Sequence, residues 1–459
     1  MVVREAIQQF KGFRYMTEQL ELCSAAGRRV LLETPWMGRR EEIERQLAKV
    51  TEVLEYLRSA EGERLVGNIG TKLEQLRDIH ATIRQVGEEV VLDDLGLFEL
   101  KCFALLVEEV RMLTEEWECI TLPVLTAVVE LLDPEANRMP HFYIYDAYSA
   151  ELAAVRSDLK MKKKKGAEDA ETDALYLRNV EIEDRIREKL SCRLVPFRKD
   201  LQNALEQMAL LDIVIAKARQ AKRMKLVKPV LEEGEMSFCG LFNPFLQEIL
   251  QKSAKQFQPV DLLLGQHATL ITGANMVGKT VLLKTVALAQ CLLQFGCYVP
   301  AREARMVVVD DLLTSIGDEQ DEMNGLSSFA AEMLRIDGIV KQIRKGRRLL
   351  VCIDEPARTT NPIEGQAIVN GLVDFLTRHA VPALVTTHYN GIVTAGKRLR
   401  VKGFVEEKIQ GEVTPGNINR WIDYSLEEDQ SDEVPREALR IAALLGVDKE
   451  LLAEAEKFI

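Results

Sequence analysis

The run Leu270-Ile271-Thr272-Gly273-Ala274-Asn275-Met276-Val277-Gly278-Lys279-Thr280 constrains this chain more than any other. The apolar stretch from Ala268 to Ile271 predicts a short buried strand, and Val281 to Phe295 predicts a helix. Between them Gly273 and Gly278 allow a tight curl in which successive backbone N–H groups point at one anion. The spacing makes Gly273, Ala274, Asn275, Met276, Val277 and Gly278 a cradle for phosphates. Lys279 would reach the β- and γ-phosphates of a nucleotide, and the Thr280 hydroxyl would lie on Mg²⁺. The N-terminal dipole of the helix favours the same negative charge.

A matching second half follows. Leu349 to Ile353 is an apolar strand ending in Asp354 and Glu355. Such a strand delivers both acids to its carboxyl end, with Asp354 holding Mg²⁺ and Glu355 orienting or deprotonating an attacking water. Next comes Val385-Thr386-Thr387-His388-Tyr389, where His388 would hydrogen-bond the γ-phosphate or that water. Between the motifs, Gln320 would reach the metal or the water. Gly325 and Ser327 open a predicted helix, which makes a second anion site. One subunit has no second phosphate to offer there, so the pattern predicts ATP sandwiched in a homodimer. Apolar runs at Thr269–Thr272, Met306–Val309, Leu349–Ile353 and Ala383–Thr386 alternate with helical patterns. The expected fold class is an α/β sheet with helices on both faces, preceded by an all-α region.

That first region reads as a series of helices, interrupted at Pro35 and Gly38 and again at Pro134 and Pro140. Ile43, Leu47, Val50, Leu54 and Leu57 recur at helical spacing from Arg39 onward, and further helices are expected over Thr71–Val86, Asp93–Leu113 and Leu201–Lys225. Residues 147–193 suggest two long helices with an exposed turn carrying Lys160, Lys162, Lys163, Lys164 and Lys165, a solvated tip or a contact for phosphate backbone. The aromatic cluster His141 to Tyr145 suggests a strand or an extended segment. The net charge of −12 means the overall field does not steer the chain to nucleic acid, so any such contact needs a local basic patch. Eight scattered cysteines form no CxxC pair and indicate neither zinc nor a disulfide framework. With no apolar run long enough for a bilayer and no signal-peptide pattern, the expectation is a cytoplasmic protein with no membrane partner.

Taken together these motifs resemble the MutS family of ABC-type ATPases. The loop Gly273–Thr280 with Asn275 and Met276, the run Tyr298-Val299-Pro300-Ala301, the Ser327-Ser328-Phe329 segment with Glu332, and Thr387-His388 carry the likeness. The tail Ala438–Ile459 is similar to the family's C-terminal dimer helices. The resemblance implies ATP and Mg²⁺ as cofactors, Phe257 stacking on adenine, a homodimer and a DNA duplex as partner. It implies a helical core domain over 1–146, lever helices with a short clamp-like tip over 147–230, an ABC-type ATPase domain over 231–430, and a dimerisation element over 431–459. The mismatch-reading domain and the small MutS-related nuclease of other members have no counterpart in the sequence given. The segment Pro356–Gly365 departs from the Gly-rich loop of repair members. It is similar to MutS-like ATPases that act as reactivases of an adenosylcobalamin-dependent lysine 5,6-aminomutase, which makes a protein partner the alternative to DNA.

Overall fold

The computed structural model describes residues 1–459 except 89, 166–168, 254, 274–276, 317–327, 390, 394–395, 406–417, 430–436 and 459. The helices of the first half are α1 (Val3–Gln9), α2 (Lys11–Glu18), α3 (Ala25–Glu33), α4 (Arg40–Tyr56), α5 (Ala60–Leu73), α6 (His80–Gln85), α7 (Asp94–Leu113), α8 (Thr126–Leu132), α9 (Ala150–Lys165), α10 (Asp169–Leu194) and α11 (Arg198–Met224). From Val230 the chain alternates: β1 (Val230–Glu232), β2 (Met236–Leu241), α12 (Pro244–Lys252), β3 (Val260–Leu264), β4 (Ala268–Thr272), α13 (Lys279–Gln294), β5 (Glu303–Val307) and β6 (Asp311–Ser315). It continues with α14 (Ser328–Ile343), β7 (Leu349–Ile353), α15 (Pro362–Arg378), β8 (Ala383–Thr386), β9 (Arg398–Phe404), β10 (Ile422–Glu428), α16 (Glu437–Leu444) and α17 (Lys449–Glu456). Among the described residues no helix is long and apolar enough to cross a membrane.

Two compact units result, both discontinuous in sequence. One holds residues 1–20, 35–47 and 220–459; the other holds residues 21–34 and 48–219. The first unit is mixed helical and α/β. Its larger sheet has the order β10-β9-β4-β8-β7-β6, parallel except for β10. Every residue of β4, β7 and β8 is buried, as expected for central strands covered on both faces. The smaller sheet has the order β1-β5-β2-β3. Here the sequence expectation is corrected. The Met306 run belongs to β5 and pairs with β1 and β2 in the small sheet, whereas β6 takes the place beside β7. β6 escaped notice because its pattern is only partly buried.

The amino-terminal residues of this unit brace the helix behind the phosphate loop. Phe13 stacks on Phe295 with ring centroids 5.0 Å apart, and Trp36 meets the same ring edge-on at 5.6 Å. The buried Gln294 amide donates to Met37 O (2.7 Å) and Val309 O (2.6 Å).

The second unit is helical in its described residues. Central to it is α7, capped by Asp93 Oδ1 accepting from Gly96 N at 2.8 Å. The Thr71–Val86 helix expected from sequence is two pieces, with α5 ending at Leu73 and α6 starting at His80. His141 to Tyr145 is extended and not a strand, its rings packing on one another, Tyr143 on Tyr145 at 4.2 Å. Arg156 ties α9 to α10, donating to Glu183 (2.8 Å) and to Asn179 (3.3 Å). Beneath α7 lies a fully buried group: Lys101 Nζ donates to Asp133 Oδ1 (2.9 Å) and to the Tyr145 hydroxyl (2.7 Å). Burial pushes the Asp133 carboxyl up, but Lys101 and the Arg138 N–H outweigh it and hold it below its ordinary 3.8. That stabilisation is therefore present above the ordinary value and is lost as pH falls through the depressed one.

Removing one partner strands the other charge in the interior. Lys101→Met is expected to destabilise the helical unit by about 3–5 kcal/mol in urea melts. The double variant Lys101→Met/Asp133→Leu should recover most of that loss, and an equal loss in both would contradict the pairing.

Candidate functional site

The carboxyl ends of β4, β8 and β7 lie side by side because their register is parallel. Ile271 pairs with Thr386, and Val385 with Ile353. After β4 the chain turns through Gly273 (φ 137°) and Gly278 (φ 83°), a range glycine enters without steric cost. A Cβ on Gly273 would lie 3.2 Å from Val277 Cγ2. α13 then starts at Lys279, whose side chain is buried. Lys279 Nζ donates to Gly273 O (2.6 Å) and sits 3.1 Å from Glu355 Oε1.

Asp354 is held at both oxygens by hydroxyls. Thr280 Oγ1 donates to Oδ2 and Thr386 Oγ1 to Oδ1, each at 2.7 Å. The Thr386 oxygen also accepts from Glu355 N at 2.9 Å, so one threonine sets both acids. His388 Nδ1 lies 3.8 Å from Glu355 Oε2; the atom is buried and has no hydrogen-bond partner among the described residues. Burial pulls the imidazole below its ordinary 6.5; Glu355 opposes this, while Lys279 and Arg358 add to it. The ring is therefore neutral at pH 7 and able to hydrogen-bond without adding charge. Glu355 (φ 45°) and Ala357 (φ 60°) flank Pro356 in the left-handed region. Such backbone costs on the order of 1–3 kcal/mol per residue and persists only where neighbours enforce it.

Beside the phosphate loop lies a cavity of about 840 Å³. Phe257, Val277, Val281, Val401, Ile422 and Tyr424 form its apolar wall. Gln258 ties the Phe257 segment to β10, accepting from Tyr424 N (3.2 Å) and donating to Asp423 Oδ1 (2.8 Å). Tyr424 also abuts the loop, 3.2 Å from where a Cβ on Gly278 would stand. The size and lining suit a flat aromatic base.

Of the expected residues, the fold brings together Gly273, Val277, Gly278, Lys279, Thr280, Asp354, Glu355 and His388, with Phe257 on the adjoining wall. Ala274, Asn275, Met276, Gln320 and Ser327 lie outside the described residues. Sequence reasoning assigned nothing to Thr386 or Tyr424. A signal existed for the latter, since Ile422, Tyr424 and Leu426 alternate and all three line the cavity. Among the described residues no group of three or more His, Cys, Asp or Glu could hold a metal alone. Thr280 and Asp354, two hard oxygen donors side by side, fit Mg²⁺, which commonly takes one or two protein oxygens and completes its shell with phosphate and water.

Residues 269–459 match the family model MutS domain V. The chain is similar to the Endonuclease MutS2 of Ligilactobacillus salivarius, 35% identical over 210 residues, 45% of this chain and 26% of that protein. The Endonuclease MutS2 of Shouchella clausii is 29% identical over 296 residues, covering 62% of this chain and 35% of the relative. The DNA mismatch repair protein MutS of Azorhizobium caulinodans is 29% identical over 297 residues, covering 61% and 30%. The matched part of the chain thus spans about a quarter to a third of these relatives' length. This part of the chain is MutS-like, and it contains the phosphate loop, the acid pair and His388.

His388 supplies a direct check on the electrostatics. Its imidazole, assigned with His388→Gln and followed by NMR, is expected to titrate with a midpoint below 6.5. A midpoint above that value would mean that Glu355 dominates the site.

Proposed function

We propose that this chain is an ABC-type ATPase that binds ATP with Mg²⁺, closes as a homodimer around it, and couples hydrolysis to movement of its helical arms on duplex DNA. The observation that carries the reading is the convergence of Lys279, Thr280, Asp354, Glu355 and His388 at one sheet edge, beside an apolar cavity of about 840 Å³. In this reading the domains run 1–146, 147–230, 231–430 and 431–459 as core, lever, ATPase and dimer element. The family match and the names of the similar proteins support ATP and DNA as ligands.

The adenine base would sit between Phe257 and Tyr424. The curled loop would give its N–H groups to the phosphates, and Lys279 would leave Glu355 for the β- and γ-oxygens. Thr280 and Asp354 would hold Mg²⁺, which neutralises charge developing on the transferred group. Glu355, released from the ammonium, would take the proton of the attacking water, and neutral His388 would orient that water. Gln320 would reach the metal or the water, and Ser327 would complete the partner's site across the dimer. The exposed lysines near the α9 tip, among them Lys160, Lys163 and Lys164, would meet the DNA backbone.

Lys279→Ala should abolish nucleotide binding or turnover. Glu355→Ala should keep ATP, trap a closed dimer and lower hydrolysis roughly 10²–10⁴-fold. Parent-like hydrolysis by Glu355→Ala would refute the base assignment. Ser327→Arg should bind ATP and fail to hydrolyse it.

For the partner, duplex affinity should fall steeply with salt, and Lys160→Glu/Lys163→Glu/Lys164→Glu should flatten that slope. No measurable duplex binding at low salt would contradict DNA as the partner and favour a protein.

A further inference from the structure

We propose that Glu332 and Tyr389 are positioning residues for Glu355, acting through the backbone of Ala357; this rests on the reading of Glu355 as the group that activates water. The tripeptide Glu355–Ala357 leaves β7 with two non-glycine residues at positive φ, and Ala357 is completely buried. A residue before proline is ordinarily driven to extended backbone, so Glu355 is doubly out of place. Something must hold this loop, because a relaxed one would carry the carboxylate away from Lys279 and His388.

The structure supplies holders at both ends. Glu355 N is fixed by Thr386 Oγ1 (2.9 Å). At Ala357 both backbone polar groups meet side chains. Its N–H donates to Glu332 Oε2 (3.2 Å), and its carbonyl accepts from the Tyr389 hydroxyl (2.7 Å) and in addition from Thr360 N (3.3 Å). Gly365 makes the second bond possible, since a Cβ there would lie 2.1 Å from the Tyr389 oxygen and 3.2 Å from Ala357 O. Tyr389 directly follows His388, so one short segment both faces Glu355 and grips the loop that carries it. Glu332 belongs to α14, so a displacement of that helix would be felt at Ala357 and, two residues back, at the carboxylate.

The test compares ATP turnover and calorimetric ATP affinity in Glu332→Ala, Glu332→Gln and Tyr389→Phe, each with and without Ala357→Gly, with melting temperatures to report folding. Misplacing a reacting group should lower kcat roughly ten- to a hundredfold in Glu332→Ala and Tyr389→Phe while leaving ATP affinity within about twofold. Glu332→Gln, which keeps an acceptor oxygen, should recover turnover relative to Glu332→Ala. Ala357→Gly should restore turnover several-fold in the two impaired variants, because glycine takes a positive φ without an anchor. A merely structural role would not show that rescue. Parent-like kcat in either variant overturns the role of that residue, and loss of affinity in step with kcat, or failure of Ala357→Gly to help, overturns the mechanism. Should Glu332→Ala not fold, Tyr389→Phe removes a single hydroxyl and decides the matter alone. Glu355→Gln, run in parallel, separates the two levels. Parent-like turnover there removes the reading of Glu355 and this proposal with it, whereas an inactive Glu355→Gln beside a parent-like Tyr389→Phe overturns only the proposal.

Discussion

Three neighbouring strands, buried on both faces and running parallel, govern everything at the candidate site. β4, β8 and β7 carry no surface-facing side of their own, so they pack as the centre of the sheet. Parallel pairing puts all three carboxyl ends at one edge, where the phosphate loop, Thr386 to His388 and the acid pair emerge together. Motifs far apart in the chain thereby meet within hydrogen-bonding distance. Ligands in open α/β sheets bind in the crevice outside such strand ends.

Around that edge the protein invests in rigidity. Asp354 is immobilised by two threonine hydroxyls, and Glu355 sits on a backbone turn that costs stability. A carboxylate on a relaxed loop would sample many directions; one on a pinned left-handed turn has few. Strain of this kind at a cleft, next to a buried ammonium and a neutral imidazole, fits chemistry better than a purely structural role.

Much of this was legible in the sequence. The strand–Gly-rich loop–helix run, the apolar strand ending in Asp354 and Glu355, and the long helices α4, α7, α9, α10 and α11 all carry strong local patterns. Even so, the buried stripe of α4 passes through Val53 where the spacing had suggested Leu54. What local pattern missed depends on distant contacts. Met306 looks like a sheet strand, and only its partners decide which sheet. No local pattern singles out Phe13 or Trp36, yet they pack on Phe295. Thr386 reveals its role only through the two atoms it bridges, Glu355 N and Asp354 Oδ1. Tyr424 lies in a strand whose alternation was visible, but nothing in the alternation says which face meets the phosphate loop.

The central claim is that this sheet edge and its apolar cavity form one adenine-nucleotide site. Calorimetric titration of the purified protein with a non-hydrolysable ATP analogue and Mg²⁺ tests it most directly, with Lys279→Ala and Tyr424→Ala as controls. The account predicts saturable, magnesium-dependent binding that is lost in Lys279→Ala and weakened in Tyr424→Ala. Absence of binding by the unaltered protein, or binding untouched by both substitutions, would contradict it.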